Sequence, residues 1–300
     1  MRRKNSGLPL GVLIALVAVA AVVCVIMIAV MYMDNHGMLG KSEEEISEEN
    51  IQPDEGSEED NGELEIVTAA DNTDELVFPD FDNSLYLNDE AFASMKPEHE
   101  AVDIKKLQQE INPEIYAWLY IPETGIDYPV LQHEEQEDYT FYASHNEKGE
   151  PDPKGALNTE FLNKKEFKDY LTVIYGTHNA DGSMFTNLDL FRDPAFFGNA
   201  PFIYVYTEDR MFIYKVFAAY EFDNVHLILN YITTMDFMYE KYVDQLEELA
   251  GLGANVDKTV WPTKDDRILT LMTHIDGNED KRYLVQSTLI GVRDLKTEAE

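Results

Sequence analysis

The stretch Asp265-Asp-Arg-Ile-Leu-Thr-Leu-Met-Thr-His274 contains a mainly apolar run of strand-forming residues, 268–273. The run stops abruptly at a polar side chain, His274. Such a run is typical of a buried strand whose last side chain reaches a surface site. A second strand is predicted shortly afterwards, over residues 283–292. His274, at the end of the first strand, is therefore the first candidate functional residue.

Similar β signals recur upstream, so the folded part is predicted to be mostly β with short helices. Strands are predicted over residues 117–121, 128–132, 170–175, 202–206 and 211–220. Short helical signals cover residues 101–111 and 234–250, the second with Phe237, Met238, Tyr242, Leu246 and Leu249 at helical spacing. A closed or nearly closed barrel is the economical way to remove the exposed edges of so many strands.

The N-terminal part of the chain has the composition of a membrane anchor. Residues 8–33 contain no charged side chain, and a helix of this length can cross a hydrocarbon core of about 30 Å. A cleaved signal peptide fits less well, because the apolar run is long and ends without small residues. Since Arg2, Arg3 and Lys4 precede the run, residues 1–7 are predicted to be cytoplasmic and the remainder extracellular.

A strongly acidic segment follows the predicted membrane helix. Residues 42–65 hold 12 acidic side chains and no Lys or Arg, so this segment is expected to remain an extended, disordered spacer. We therefore divide the extracellular part into an acidic linker (34–95), a folded domain (96–293) and a C-terminal tail (294–300). The net charge of −35 argues against nucleic acid as a partner.

The order of these segments resembles the class B sortases, which are membrane-anchored cysteine transpeptidases of Gram-positive bacteria. The resemblance rests on INPEIYAWLYIPETGIDYPVLQ (111–132), YGTHNADGSMF (175–185), PFIYVYTEDRMFIYKVFAAY (201–220), DDRILTLMTH (265–274) and Arg282. It implies a sortase-like closed β-barrel held at the cell membrane by a single span. It also implies two partners, the C-terminal sorting motif of surface proteins and a peptidoglycan precursor, and no cofactor or metal.

The family's chemistry uses three side chains that meet in one groove. A thiolate ending a TLxTC strand attacks the Thr carbonyl of the sorting motif, a histidine exchanges protons, and an arginine stabilises the oxyanion. In this chain the resemblance places His274 at the cysteine position and Arg282 at the arginine position. His178 is offset by one residue from the family's histidine, with Thr177 in its place. Strand alternation would turn His178 to the other face unless a bulge restores it.

The single cysteine of the chain, Cys24, lies inside the predicted membrane helix. The sequence therefore predicts that ordinary cysteine transpeptidase activity is lost and that the protein is a binding or accessory module for a sorting peptide or the cell wall. The alternative is an active hydrolase or transpeptidase with replaced chemistry. In that case Ser183 or Thr273 serves as nucleophile, or His178 and His274 bind a metal with a carboxylate from Asp181, Asp276 or Glu279.

Overall fold

The computed structural model describes residues 81–100, 102–135, 140–231, 233, 235–251 and 253–295. The predicted membrane helix (8–33), most of the predicted acidic linker and Cys24 lie outside these residues, as do residues 296–300 of the predicted tail. Within the described ranges, no helix combines the length and the apolar character needed to cross a bilayer.

The described chain is mostly β. Its strands are β1 (Ile115–Ile121), β2 (Ile126–Leu131), β3 (Leu157–Asn158), β4 (Leu171–Tyr175), β5 (Ile203–Tyr206), β6 (Arg210–Asp223), β7 (Asn255–Val256), β8 (Ile268–Ile275) and β9 (Asn278–Asp294). Its α-helices are α1 (Asp89–Ala93), α2 (Ile104–Glu110), α3 (Pro194–Gly198), α4 (Leu227–Tyr231) and α5 (Asp236–Ala250). Short 3-10 helices cover Asn83–Leu85, Phe141–Ala143, Thr186–Arg192 and Lys258–Val260.

Eight of these strands close into a barrel. The order around the sheet is β5-β1-β2-β3-β4-β8-β9-β6, and the pairing of β6 with β5 closes the ring. The two-residue strand β7 pairs with β6 outside this ring. The predicted closed barrel is confirmed, and closure leaves its strands with few unpaired backbone groups.

Strand β8 separates two apolar clusters by the alternation of its side chains. Leu269 and Leu271 belong to the cluster that fills the barrel with residues of β1, β2, β5 and β6. Ile268 and Met272 belong to the outer cluster, which includes the buried face of α5. Because successive side chains of a strand point to opposite faces, His274 lies on the outer face with Met272.

Residues 81–95 correct the predicted extent of the linker, because they pack on the barrel. Phe81 is only 6% exposed, and its ring centroid lies 5.4 Å from that of Phe212. Tyr86 forms a β-bridge with Val292. These aromatic side chains provide the apolar surface that the acidic segment lacks, so the packed domain reaches back at least to residue 81.

The buried face of α5 agrees with the prediction in part. Its buried residues are Tyr239, Tyr242, Val243, Leu246 and Ala250, which form one stripe at helical spacing. Phe237, predicted to face the core, is 47% exposed because it lies off this stripe near the first turn. Tyr242 and Leu246 are buried as predicted and Leu249 packs against the same cluster, so the predicted face is correct except near the first turn.

Candidate functional site

The β8–β9 hairpin places His274 and Arg282 side by side. Strand β8 ends at Ile275 and β9 begins at Asn278, so the turn contains only two residues. The second of them, Gly277, has φ +74, a conformation that suits glycine in tight hairpin turns. His274 and Arg282 are cross-strand partners in this hairpin, so their side chains emerge on the same face.

A bulge beside the turn anchors the arginine. The partner on β9 shifts from Asn278 to Arg282 between two consecutive residues of β8, so residues 279–281 have no partner on β8. Arg282 Nη1 donates to the backbone oxygens of Glu279 at 3.2 Å and Lys281 at 2.8 Å. Within the described part of the chain, Arg282 forms no ion pair with a carboxylate.

His274 and Arg282 line the same cleft, whose volume is about 460 Å³. The cleft lies on the outer side of the barrel, where the ends of β4, β6 and β8 meet. Its wall includes Asn158, Thr177, Asn224, Val225, His226 and Met272. This mixture of apolar surface and a few polar groups is typical of a site that binds a small molecule or a short peptide.

The surroundings of His274 select its tautomer. Its Nδ1 accepts a long hydrogen bond, 3.4 Å, from the backbone N–H of His178, so the hydrogen of the neutral ring resides on Nε2. Burial, followed by the nearby charge of His178, lowers the pKa of His274 below its ordinary value. Its side chain is 42% exposed, so at neutral pH His274 presents an N–H donor to the cleft.

His178 approaches His274 from beside the cleft. The two ring centroids lie 5.9 Å apart, with the planes at 66°. His178 Nε2 lies 2.9 Å from a carboxylate oxygen of Asp189, and its Nδ1 lies 3.4 Å from a carboxylate oxygen of Asp276. Strand β4 ends at Tyr175, so the alternation of a strand does not govern the orientation of His178.

Thr177, by contrast, lines the cleft at the position that the family's histidine occupies by resemblance. Its hydroxyl donates to the backbone oxygen of Lys154. The structure thus brings His178, His274 and Arg282 into one region, while only His274 and Arg282 of the three line the cleft itself.

The two alternative nucleophiles are poorly placed. Thr273 is 2% exposed and pairs with Tyr283, and its side chain lies on the face of β8 opposite to His274. Ser183 Oγ donates to an Asp181 carboxylate oxygen at 2.6 Å and accepts a hydrogen bond from Asn179 Nδ2 at 3.2 Å. Ser183 therefore stabilises its own turn, and neither hydroxyl contacts a histidine among the described residues.

The metal alternative also lacks a ligand set. Among the described residues, no group of three His, Cys, Asp or Glu side chains is arranged to hold a metal ion. Asp276 lies near both histidines, but Asp181 is bound to Lys154 Nζ at 2.5 Å. Glu279 contributes its backbone oxygen, not its carboxylate, to Arg282.

A buried acid behind the wall of the cleft, which contacts the lining residues His226 and Tyr175, was not predicted from the sequence. Glu160 is 2% exposed and accepts hydrogen bonds from His226 Nε2 and the Tyr175 hydroxyl, each at 2.8 Å. The hydrogen bond to Glu160 raises the pKa of His226 above its ordinary value. Glu160 and His226 are far apart in sequence, so no local pattern indicates their contact.

Comparison with known proteins places these observations in a family. No family model matches the chain. The chain is 32% identical over 187 residues to sortase B of Listeria monocytogenes, a match that covers 61% of this chain and 72% of that relative. It is 28% identical over 207 residues to sortase B of Staphylococcus aureus, covering 66% of this chain and 79% of the relative.

Solved structures agree with these relatives. A mutant form of Clostridium perfringens sortase B is 27% identical, with a TM-score of 0.55, covering 62% of this chain and 85% of the other. A Staphylococcus aureus sortase B-substrate complex is 26% identical, also with a TM-score of 0.55, covering 67% and 89%.

Proposed function

The chain belongs to the class B sortase family, and from this premise we propose that it is a binding member of the family without ordinary cysteine transpeptidase activity. The observation that carries this proposal is the residue at the end of β8. His274 stands beside Arg282 where the family resemblance expects the cysteine, and residues 34–300 contain no cysteine. The thioester on which the family's transfer depends requires a thiol.

The imidazole of His274 is a poor replacement nucleophile. Its unprotonated Nδ1 accepts the N–H of His178, and its other nitrogen carries a hydrogen. An acyl group on imidazole is also reactive toward water, so it would hydrolyse before an amine arrived. His274 is therefore better suited to donate a hydrogen bond than to form a covalent intermediate.

The cleft remains as a place to bind a peptide. A Staphylococcus aureus relative of this chain has been solved with a substrate. We extend that role to the cleft beside His274 and Arg282, with the C-terminal sorting motif of a surface protein or a peptidoglycan precursor as its ligand. In this proposal residues 8–33 anchor the protein in the cell membrane, and the barrel faces the outside.

A direct test compares binding with turnover. The full-length protein, solubilised in mild detergent, is incubated with a sorting-motif peptide with and without an acceptor amine, next to an active sortase B. We expect the peptide to bind, while its cleavage is no faster than in a control without protein, because no thiolate is present. Turnover by the unmodified protein comparable with that of the active enzyme would contradict the proposal.

A further inference from the structure

His274 and Arg282 together form a pair of hydrogen-bond donors in the cleft. They are cross-strand neighbours, so their Cβ atoms are separated by about 5 Å. His274 offers Nε2–H, and Arg282 offers the guanidinium N–H groups that its contacts through Nη1 do not use. Two adjacent donors, one of them cationic, match the two oxygens of a carboxylate.

Of the arginines that the structure describes, only Arg282 and the buried Arg267 form no ion pair with a carboxylate. The chain has 58 acidic and 23 basic residues, so most surface arginines meet a carboxylate. Arg192, Arg210 and Arg293 each lie within ion-pair distance of an Asp or a Glu. Arg282, by contrast, donates only to backbone oxygens among the described residues, and the charge of Glu279 acts on its guanidinium without forming an ion pair.

Two acidic groups near this pair, Asp276 and Asp189, contact the histidines or another arginine and not Arg282. An Asp276 carboxylate oxygen lies 3.4 Å from His178 Nδ1 and another lies 3.7 Å from His274 Nε2, so Asp276 is on the histidine side of the pair. Asp189 binds His178 and Arg192. A ligand carboxylate beside Arg282 would therefore meet a local positive group in spite of the acidic protein around it.

Resting on the proposed function, we propose that the cleft recognises the free C-terminal carboxylate of a peptide, which His274 and Arg282 bind together. The ligand is then a peptide that has already been cleaved. An intact chain offers one neutral carbonyl oxygen at the same place, whereas the cleaved chain offers two charged oxygens. Hydrogen bonds to a charged acceptor are about twice as strong as neutral ones.

The test uses two peptide libraries that differ in one group. Both are acetylated pentapeptides with four randomised positions and a final Thr, the residue whose carbonyl the family attacks. One library ends in a free acid and the other in an amide. Binding to the full-length protein is measured by calorimetry, and the acid library is expected to bind at least about tenfold more tightly, as one added charge-assisted hydrogen bond requires.

Variants assign the preference to the two residues. Arg282→Gln should remove most of the acid preference, and His274→Ala should reduce it several-fold. Lys105→Gln is the control for loss of one positive charge, because Lys105 is an exposed residue of α2 that pairs with Glu208 and does not line the cleft. Its acid preference should equal that of the unmodified protein.

The outcomes separate this inference from the proposed function. Equal binding of the acid and amide libraries overturns carboxylate recognition and leaves a peptide-binding cleft. Failure of both libraries to bind overturns both proposals, and turnover of an intact peptide overturns the proposed function itself. The comparison of acid with amide uses the unmodified protein, so it stands even if a variant fails to fold.

Discussion

At the level of single residues, His274 owes its properties to the groups around its ring. The backbone N–H of His178 binds one nitrogen, and the Asp276 carboxylate and the Arg282 guanidinium act on its charge with opposite signs. The same imidazole could be a base or a cation in another setting. Here the surrounding groups favour the neutral ring, which donates a hydrogen bond through Nε2–H.

These opposing charges predict that two substitutions, each of which replaces a charged side chain by an uncharged one, shift the pKa of His274 in opposite directions. Arg282→Gln removes a nearby positive charge and should raise the pKa of His274, whereas Asp276→Asn removes a negative charge and should lower it further. A titration of the histidine side chains by ¹H–¹⁵N NMR measures both shifts and also reports which nitrogen carries the hydrogen. Shifts in the same direction would show that the ring does not sense these two charges as described.

The Glu160–His226 pair predicts a pH dependence of stability. The folded state raises the pKa of His226 above 6.5, its ordinary value, because the hydrogen bond to Glu160 favours the charged ring. The resulting stabilisation is fully present below the unfolded pKa and is lost as the pH rises through the folded pKa. His226→Asn should therefore reduce the free energy of unfolding more at about pH 5.5 than at about pH 8.5.

Urea denaturation at the two pH values measures this difference. Glu160→Gln serves as the matched variant, because it keeps a hydrogen-bonding side chain but removes the charge. In that background the effect of His226→Asn should no longer depend on pH. A dependence that persists without the Glu160 charge would assign it to another group.

At the level of elements, the residue that follows β4, Gly176, has no room for a side chain. A Cβ on Gly176 would lie 2.5 Å from a Leu157 side-chain carbon and 2.6 Å from a Phe185 ring carbon. Gly176→Ala should therefore destabilise the protein by about 1–3 kcal/mol, because both neighbours are fully buried. Gly198→Ala is the control, since a Cβ there meets nothing within 4 Å.

Thermal or urea unfolding of the two variants distinguishes them. Because Gly176 also lines the cleft, Gly176→Ala should weaken peptide binding as well. Equal stability of the two variants would mean that Leu157 and Phe185 move aside without cost.

The elements themselves were largely predictable from sequence, whereas the exposure of individual side chains was not always so. Alternation and turn residues located β8 and β9, and closure followed from the number of strands. The face of α5 was predicted correctly at Tyr242 and Leu246, whereas Phe237 fits the apolar period and yet lies outside the buried stripe. Local periodicity indicates which residues of a helix are apolar, but it does not specify where the sheet lies against which the helix packs.

The candidate site also combines residues that the sequence predicted with contacts that it did not predict. His274 and Arg282 were identified through the resemblance to the class B sortases, and the structure brings them together in one cleft. The position of the His178 ring depends on where β4 ends and on Asp189, which no strand pattern indicates. The pair Glu160–His226 depends on a long-range contact, so it could be found only in three dimensions.

At the level of the whole molecule, the charge of −35 opposes the arrival of an anionic ligand. Added salt screens this long-range repulsion, so the association rate of an acid-ended peptide should increase with ionic strength. The matched amide-ended peptide has no charge at that end and should show a smaller change. Stopped-flow measurements between about 10 mM and 150 mM salt test this, because the Debye length falls from about 30 Å to about 8 Å.

A decrease of the association rate with salt would indicate that local attraction by Arg282 dominates the encounter. The dissociation rate reports the local contacts separately, since long-range charge acts mainly on association. The two rates together therefore separate the field of the whole protein from the hydrogen bonds in the cleft.

The two-residue turn between β8 and β9 has a mechanical consequence for selectivity. Since the backbone ladder pairs His274 with Arg282, the distance between their Cβ atoms is fixed by the sheet and not by a movable loop. A ligand that contacts both side chains must therefore adapt to this fixed backbone spacing, and only the rotamers of His274 and Arg282 can adjust the distance between their donor atoms.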